Sequence, residues 1–200
     1  SIKNKKAIYV GNPVRKEILA IKKTSQYDKE KLNLLIVGGS RGAKVLNDII
    51  PRAIKMLPSA LRPEIWHQTG EKSYEAVKSL YANVGVNAKV MPFIEDMPAA
   101  YLWADLMVCR AGAMTVAEVI AVGLPAIFVP FPQATHDHQT ANANYLVLQK
   151  AAFILPSLSL SADSFSKKLL SITREDLLAV KACLFGLQEA NLSSKIISKL

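Results

Sequence analysis

The chain is poor in the residues that most often announce chemistry. In 200 residues there are two cysteines, Cys109 and Cys183, and three histidines, His67, His136 and His138. Two distant cysteines build no disulfide framework, which fits a reducing compartment, and Cys109 falls in an apolar stretch where a core role is expected. The run His136-Asp137-His138-Gln139 has loose spacing and no second cluster to support it, so no bound metal is expected. There is no Asp-x-Asp pair of the kind that carries a divalent ion in metal-dependent sugar transferases, and no Ser/His/Asp arrangement is legible. Glu95 and Asp96 are expected in a loop, without a partner carboxylate of defined role. The dinucleotide fingerprint G-x-G-x-x-G is absent, as is the Gly-Lys-Ser/Thr of a P-loop. Nor is there a long apolar span: the uncharged run after Glu118 is broken by Gly123, Pro125 and Pro130, and reads as helix end, turn and buried strand. No signal peptide opens the chain, and Ser1, with no Met before it, is expected of a fragment or a processed product.

What is present suits one large α/β domain. Half of the residues are apolar, enough for a sizeable core. The net charge of +9 is uneven: up to Lys31 there are nine Lys/Arg against three acids, a surplus of six. Lys3, Lys5, Lys6, Lys22, Lys23, Lys29 and Lys31 read first as a solvated face, with anionic lipid or an acidic partner as the sharper reading. Nucleic acid is not expected, because aromatic residues do not interleave with the basic ones.

Strands are expected at Ala7–Val10, Leu32–Val37, Glu64–His67, Lys89–Met91, Leu106–Cys109 and Ala126–Val129, with a last short one at Ala152–Leu155. Helices fall between them. One begins near Pro13 with Arg15 in its first turn. One runs from the Gly39–Ala43 turn to about Leu57, kinked or divided at Pro51. Others are expected at Glu71–Asn83 and Pro98–Ala104, after Gly112, and from His138. Two or three helices close the chain, at about Ala162–Ile172, Arg174–Phe185 and Gln188–Lys199. Lys22–Lys31 reads as a loop. The β-α-β alternation implies a Rossmann-like parallel sheet with helices on both faces.

Two turns carry the candidate chemistry. Gly38-Gly39-Ser40-Arg41-Gly42 is a Gly-rich strand-to-helix turn, which offers N–H groups to a phosphate; on this motif alone, a tight turn with no ligand is equally weighted. In Gly112-Ala113-Met114-Thr115-Val116-Ala117-Glu118, the hydroxyl and the carboxylate are three residues apart and so share a helix face. Thr115 can meet a phosphate oxygen, and Glu118 can accept both vicinal ribose hydroxyls. Alone, this motif reads better as a helix start with a stabilising acid. Beside a second Gly-rich turn in the same sheet, the ligand reading gains. After the apolar strand at Ala126 comes a Pro-rich loop, then the polar helix start His138-Gln139-Thr140-Ala141-Asn142.

With these residues go G-N-P-V-R at 11–15, H-Q-T-G at 67–70, P-F-I-E-D-M at 92–97, G-L-P-A-I-F-V-P-F-P at 123–132 and D-H-Q-T-A-N-A at 137–143. Together they resemble the C-terminal, donor-binding half of the MurG family of bacterial peptidoglycan glycosyltransferases, from about Ala7 to Ala152. The family transfers N-acetylglucosamine from UDP-N-acetylglucosamine to lipid I, making lipid II. The resemblance implies a GT-B fold and a single UDP-sugar-binding domain over 1–200, with residues 1–6 as linker, C-terminal helices from about 160, and the acceptor-binding N-terminal domain absent. It implies that the backbone at Ile94 reads uracil with Phe93 beside it, and that Glu118 holds the ribose. Gly39, Ser40 and Thr115 would lie near the diphosphate, with the backbone of Ala113, Met114, Val116 and Ala117. Arg15 would lie at the nucleoside end, with Gln139 and Asn142 on sugar hydroxyls. It implies inversion with no cofactor and no metal, no catalytic residue in this half, contact with lipid I through the missing domain, and a peripheral place on the cytoplasmic face of the bacterial inner membrane. Two other readings share the fold. One is a stand-alone nucleotide-sugar-binding subunit that works with a separate acceptor-binding membrane chain. The other is half of a UDP-N-acetylglucosamine epimerase.

Overall fold

The computed structural model describes residues 13–21, 30–39, 43–131 and 138–197, the last eight of these by backbone alone. The strand expected at Ala7–Val10, most of the Lys22–Lys31 loop, Ser40, and the loop carrying His136 and Asp137 lie outside the described residues. In chain order the elements are α1 (Lys16–Leu19), β1 (Asn33–Val37), α2 (Lys44–Met56), β2 (Glu64–Gln68), α3 (Tyr74–Val84), β3 (Lys89–Met91) and α4 (Met97–Trp103). Then come β4 (Leu106–Cys109), α5 (Ala113–Val122), β5 (Ala126–Phe128), α6 (His138–Leu148), β6 (Phe153–Ile154), α7 (Ala162–Ser171) and α8 (Arg174–Ile197).

All neighbouring strands pair in parallel, in the order β3-β2-β1-β4-β5-β6. The central strands are apolar on both faces because both faces are covered. Leu34 and Ile36 of β1 join Leu46 and Ile50 of α2, Val77 of α3 and Phe165 of α7 on one side. Leu35, between them in sequence, points the other way and joins Ile18 of α1, Tyr101 of α4, Val119 of α5 and Leu184 of α8. The parallel sheet with helices on both faces is therefore as expected. At the sheet centre the Asn33 N–H donates to Asp105 Oδ2 (2.9 Å), and Asn33 Nδ2 donates to the Trp103 carbonyl (2.8 Å). This clamp fixes the start of β1 against β4 in a buried setting, where hydrogen bonds must be complete.

Four local expectations need adjustment. Of the kink or division expected at Pro51, division does not occur: α2 is assigned as one helix from Lys44 to Met56. Its turns bury Leu46, Ile50, Ala53 and Ile54, and that burial offsets the roughly 3 kcal/mol cost of proline in a helix interior. Of the two or three closing helices expected, two form: 174–197 is one helix, which Gly186 does not break. The turn before α3 starts as a 3-10 segment, Glu71–Ser73, after Gly70 at φ 80°. The first helix begins at Lys16, later than Pro13, so Arg15 stands at its N-cap and not inside its first turn.

Candidate functional site

The strand order reverses between β1 and β4. Connections leaving these two neighbours run to opposite sides of the sheet and open a crevice beyond their carboxyl ends. Val37 and Cys109 are register partners, so the loops that follow them start side by side. One begins Gly38-Gly39, where φ is 84° at Gly39, a value that favours glycine. A Cβ there would meet no atom of the described residues within 4 Å, so backbone conformation explains the residue. The other runs Arg110-Ala111-Gly112 into α5, whose first N–H groups no intrahelical carbonyl can reach. Thr115 lies in that first turn, its hydroxyl on the Gly112 side of the helix start. Met114 is 55% exposed, so the mouth of the crevice is uncovered there. Val116 and Ala117 continue the helix, Val116 pointing into the core.

Glu118 lies one turn on from Thr115. Its side chain is 13% exposed and is held from two sides. Tyr101 of α4 donates its hydroxyl to Oε2 (2.7 Å), and Arg15 Nη2 lies 3.5 Å from Oε1. Tyr101 is buried, and burial together with the adjacent carboxylate holds its hydroxyl protonated far above the ordinary tyrosine range. Two sequence-predicted residues more than 100 positions apart, Arg15 and Glu118, are thus brought together, with a third that the sequence did not single out.

The loop between β3 and α4 carries Phe93 and Ile94. Phe93 is 54% exposed on the same open side, while the Ile94 side chain is buried. The Ile94 N–H donates to Gln68 Oε1 (2.9 Å), and Gln68 Nε2 donates to the Gly39 carbonyl (3.3 Å). One buried amide at the end of β2 therefore ties the loop after β3 to the loop after β1. Gln68 was legible only as the absence of an acid at that position. At the other end of the crevice Gln139 Oε1 accepts from the Phe131 N–H (3.0 Å), and Asn142 Nδ2 donates to the Ala111 carbonyl (3.0 Å). Among the described residues no hydrogen bond is seen at Gln139 Nε2 or Asn142 Oδ1. Arg110 braces the adjoining Pro-rich loop through the Val129 and Pro130 carbonyls (2.9 and 3.1 Å) and Ser157 Oγ (2.8 Å). The structure leaves Ser40 outside its described residues and brings the remaining predicted residues to one end of the sheet.

Two other reactive side chains have no part here. His67 is sealed within β2, and burial pushes its pKa down to about 3. Burial pushes the Cys109 thiol well above its usual range, which leaves it inert. Among the described residues no three His, Cys, Asp or Glu side chains gather as metal ligands would.

The sequence from residue 33 to 195 matches the glycosyltransferase family 28 C-terminal domain. The chain belongs to this family. A relative of the family 28 domain in Dechloromonas aromatica is 50% identical over 165 residues, covering 81% of this chain and 47% of its own. One in Nitrosococcus oceani is 46% identical over 168 residues, covering 82% and 47%. Both are named UDP-N-acetylglucosamine--N-acetylmuramyl-(pentapeptide) pyrophosphoryl-undecaprenol N-acetylglucosamine transferase. This chain thus spans about half the length of the curated relatives it matches. The crystal structure of Acinetobacter baumannii MurG superposes with a TM-score of 0.75 at 39% identity, covering 90% of this chain and 55% of that one. The glycotransferase of kitacinnamycin, at 20% identity and a TM-score of 0.63 over 92% of this chain and 44% of its own, shares the fold.

Proposed function

We propose that this chain is the nucleotide-sugar-binding half of an inverting transferase that moves N-acetylglucosamine from UDP-N-acetylglucosamine to lipid I. The observation that carries the reading is the meeting, at one switch point, of a helix N-terminus bearing Thr115 and a carboxylate, Glu118, one turn further along the same helix. That spacing suits a diphosphate joined to a ribose. The diphosphate lies over the start of α5, near Gly39, Ser40 and Thr115 and the amides from Ala113 to Ala117, where the helix dipole favours negative charge. The ribose hydroxyls donate to Glu118. Uracil lies by Phe93 and uses the backbone of Ile94. The carbonyl there can accept the base N3–H directly; the N–H reaches uracil O4 once the Gln68 amide turns away from it. Gln139 and Asn142 take the sugar hydroxyls, and Arg15 closes the nucleoside end.

The leaving group is UDP, and its developing charge is met by the α5 N-terminus and by cationic side chains such as Arg15. The relatives' name puts their acceptor on undecaprenol, a polyprenyl lipid, which supports a peripheral place on the cytoplasmic face of the inner membrane. No helix among the described residues is long and apolar enough to cross a membrane.

Calorimetry on this chain tests the reading. Glu118→Ala is expected to weaken UDP by roughly 1.5–3 kcal/mol, the range for hydrogen bonds to a charged group. The parent should bind 2′-deoxy-UDP more weakly than UDP, and a chelator should leave UDP-N-acetylglucosamine binding unchanged. Equal affinity for UDP and 2′-deoxy-UDP removes Glu118 from the ribose, and a requirement for magnesium or manganese contradicts the charge assignment.

A further inference from the structure

We propose that Tyr101 is a positioning residue for nucleotide binding, which fixes the Glu118 carboxylate so that its free lone pairs face the two ribose hydroxyls. The inference rests on the ribose role of Glu118 given above. A carboxylate offers about four acceptor directions. Tyr101 takes one on Oε2 at 2.7 Å, and Arg15 Nη2 forms an ion pair with Oε1 at 3.5 Å. Each oxygen keeps at least one direction that no hydrogen bond among the described residues occupies, which is what a vicinal diol requires. A glutamate on an open crevice would otherwise sample several rotamers, and the ligand would have to select one of them.

Tyr101 is well suited to prevent this. It is 1% exposed, and its ring packs in the core that also holds Ile18, Met97 and Val119. Its hydroxyl therefore has little freedom of its own. Burial strongly favours the neutral phenol, so Tyr101 stays a donor and Glu118 the acceptor. The residue also sits on α4, which follows directly from the Phe93–Asp96 loop. Asp96 caps that helix by accepting from the Ala99 N–H (2.9 Å). The segment expected to read the base and the acid expected to read the sugar are thereby joined through one short, capped helix.

The test is nucleotide titration of the full chain and its variants by calorimetry, with UDP and 2′,3′-dideoxy-UDP. Tyr101→Phe removes the hydroxyl and keeps the ring. UDP affinity is expected to fall roughly threefold to tenfold, the effect of one hydrogen bond, and 2′,3′-dideoxy-UDP affinity to stay at the parental value. In a Glu118→Ala background the same substitution should change neither. A merely structural tyrosine gives a different pattern, weakening both nucleotides alike and doing so in either background; that result overturns the proposal. No loss for UDP in a variant with an unchanged thermal midpoint overturns it too. If the parent itself binds the two nucleotides equally, the ribose role of Glu118 fails first and the positioning role falls with it. A parent that discriminates, beside a Tyr101→Phe variant that discriminates just as well, sinks the Tyr101 proposal alone.

Discussion

The Asn47 side-chain oxygen can only accept a hydrogen bond, and it lies 3.1 Å from His67 Nε2. The ring proton therefore sits on Nε2, and Nδ1 accepts from the Tyr81 hydroxyl at 3.0 Å. Asn47 Nδ2 in turn donates to the Thr69 carbonyl (3.0 Å). Both ring nitrogens are satisfied in the neutral form, and a second proton would place a charge in a dry interior. Burial accordingly pushes the His67 pKa down to about 3. An unfolded histidine titrates near 6.5. Between those values the unfolded chain binds a proton that the folded chain refuses, so stability rises with pH through this window and is complete above it. Acidification from pH 7 to pH 5 is expected to cost about 2 kcal/mol through this residue alone. Urea midpoints at pH 7, 6 and 5 check it. His67→Gln should be less stable at pH 7 yet lose that slope; parallel slopes in parent and variant would exclude His67 as the cause. None of this triad was legible in the sequence. Asn47, His67 and Tyr81 belong to three elements, and a lone His at a strand end carries no pattern. Glu118 was legible because a small-residue turn and a threonine precede it at fixed helical spacing. Tyr101 was not, because its hydroxyl reaches Glu118 only after α4 and α5 pack side by side.

Two glycines show how differently helices α5 and α8 use the same residue. Gly123 ends α5 at φ 67°, and its N–H donates to the Val119 carbonyl (3.0 Å). A Cβ there would also stand 3.4 Å from the Phe185 ring of α8. Gly186 lies inside α8, where a Cβ would meet no atom of the described residues within 4 Å. The same change should then have opposite signs. Gly123→Ala is expected to destabilise by about 1–2 kcal/mol, the cost of the left-handed conformation. Gly186→Ala is expected to stabilise by roughly 0.5–1 kcal/mol. Urea denaturation of the two variants reads both, and a stabilised Gly123→Ala would show that the α5 end is free to rearrange. Gly186 also explains why the sequence suggested two helices where there is one. Glycine reads as punctuation, but α8 buries Leu177, Val180 and Leu184 before it. Just past it, Gln188 Nε2 donates to the Ala121 carbonyl (3.0 Å). Contacts on both sides outweigh one weak helix former. Pro51 is the same case in α2. The six described strands were legible almost to the residue, and most plainly β1, β4 and β5, since parallel strands buried on both faces read as apolar runs between turn residues.

At the scale of the molecule, binding and catalysis are expected to separate. Six parallel strands with an apolar core on each face give this chain the means to fold by itself. The described residues proposed to touch uracil, ribose, diphosphate and sugar lie on its own loops and helix starts. We therefore expect UDP-N-acetylglucosamine to bind weakly but specifically. Phe93 and Met114, more than half exposed, mark a crevice with one side uncovered, so water remains at the donor and contacts from that side are missing. Transfer makes a further demand. The acceptor hydroxyl must lose its proton while held in line with the anomeric carbon. His67 cannot supply the base, being sealed in β2 and bonded at both nitrogens. His138, at the exposed start of α6, stands one residue before Gln139, on the segment proposed to bind the donor sugar. We therefore expect the base and the acceptor site in the part of the relatives' length that this chain does not span. Calorimetry with UDP-N-acetylglucosamine and a product assay with a purified lipid I analogue give the two readouts. Binding without product is the expected pair of results, with some turnover restored when the remaining half is supplied as a second chain that associates with this one. Product from this chain alone would move the base into it, and no detectable donor binding would show that the second half is needed to build the site as well as to use it.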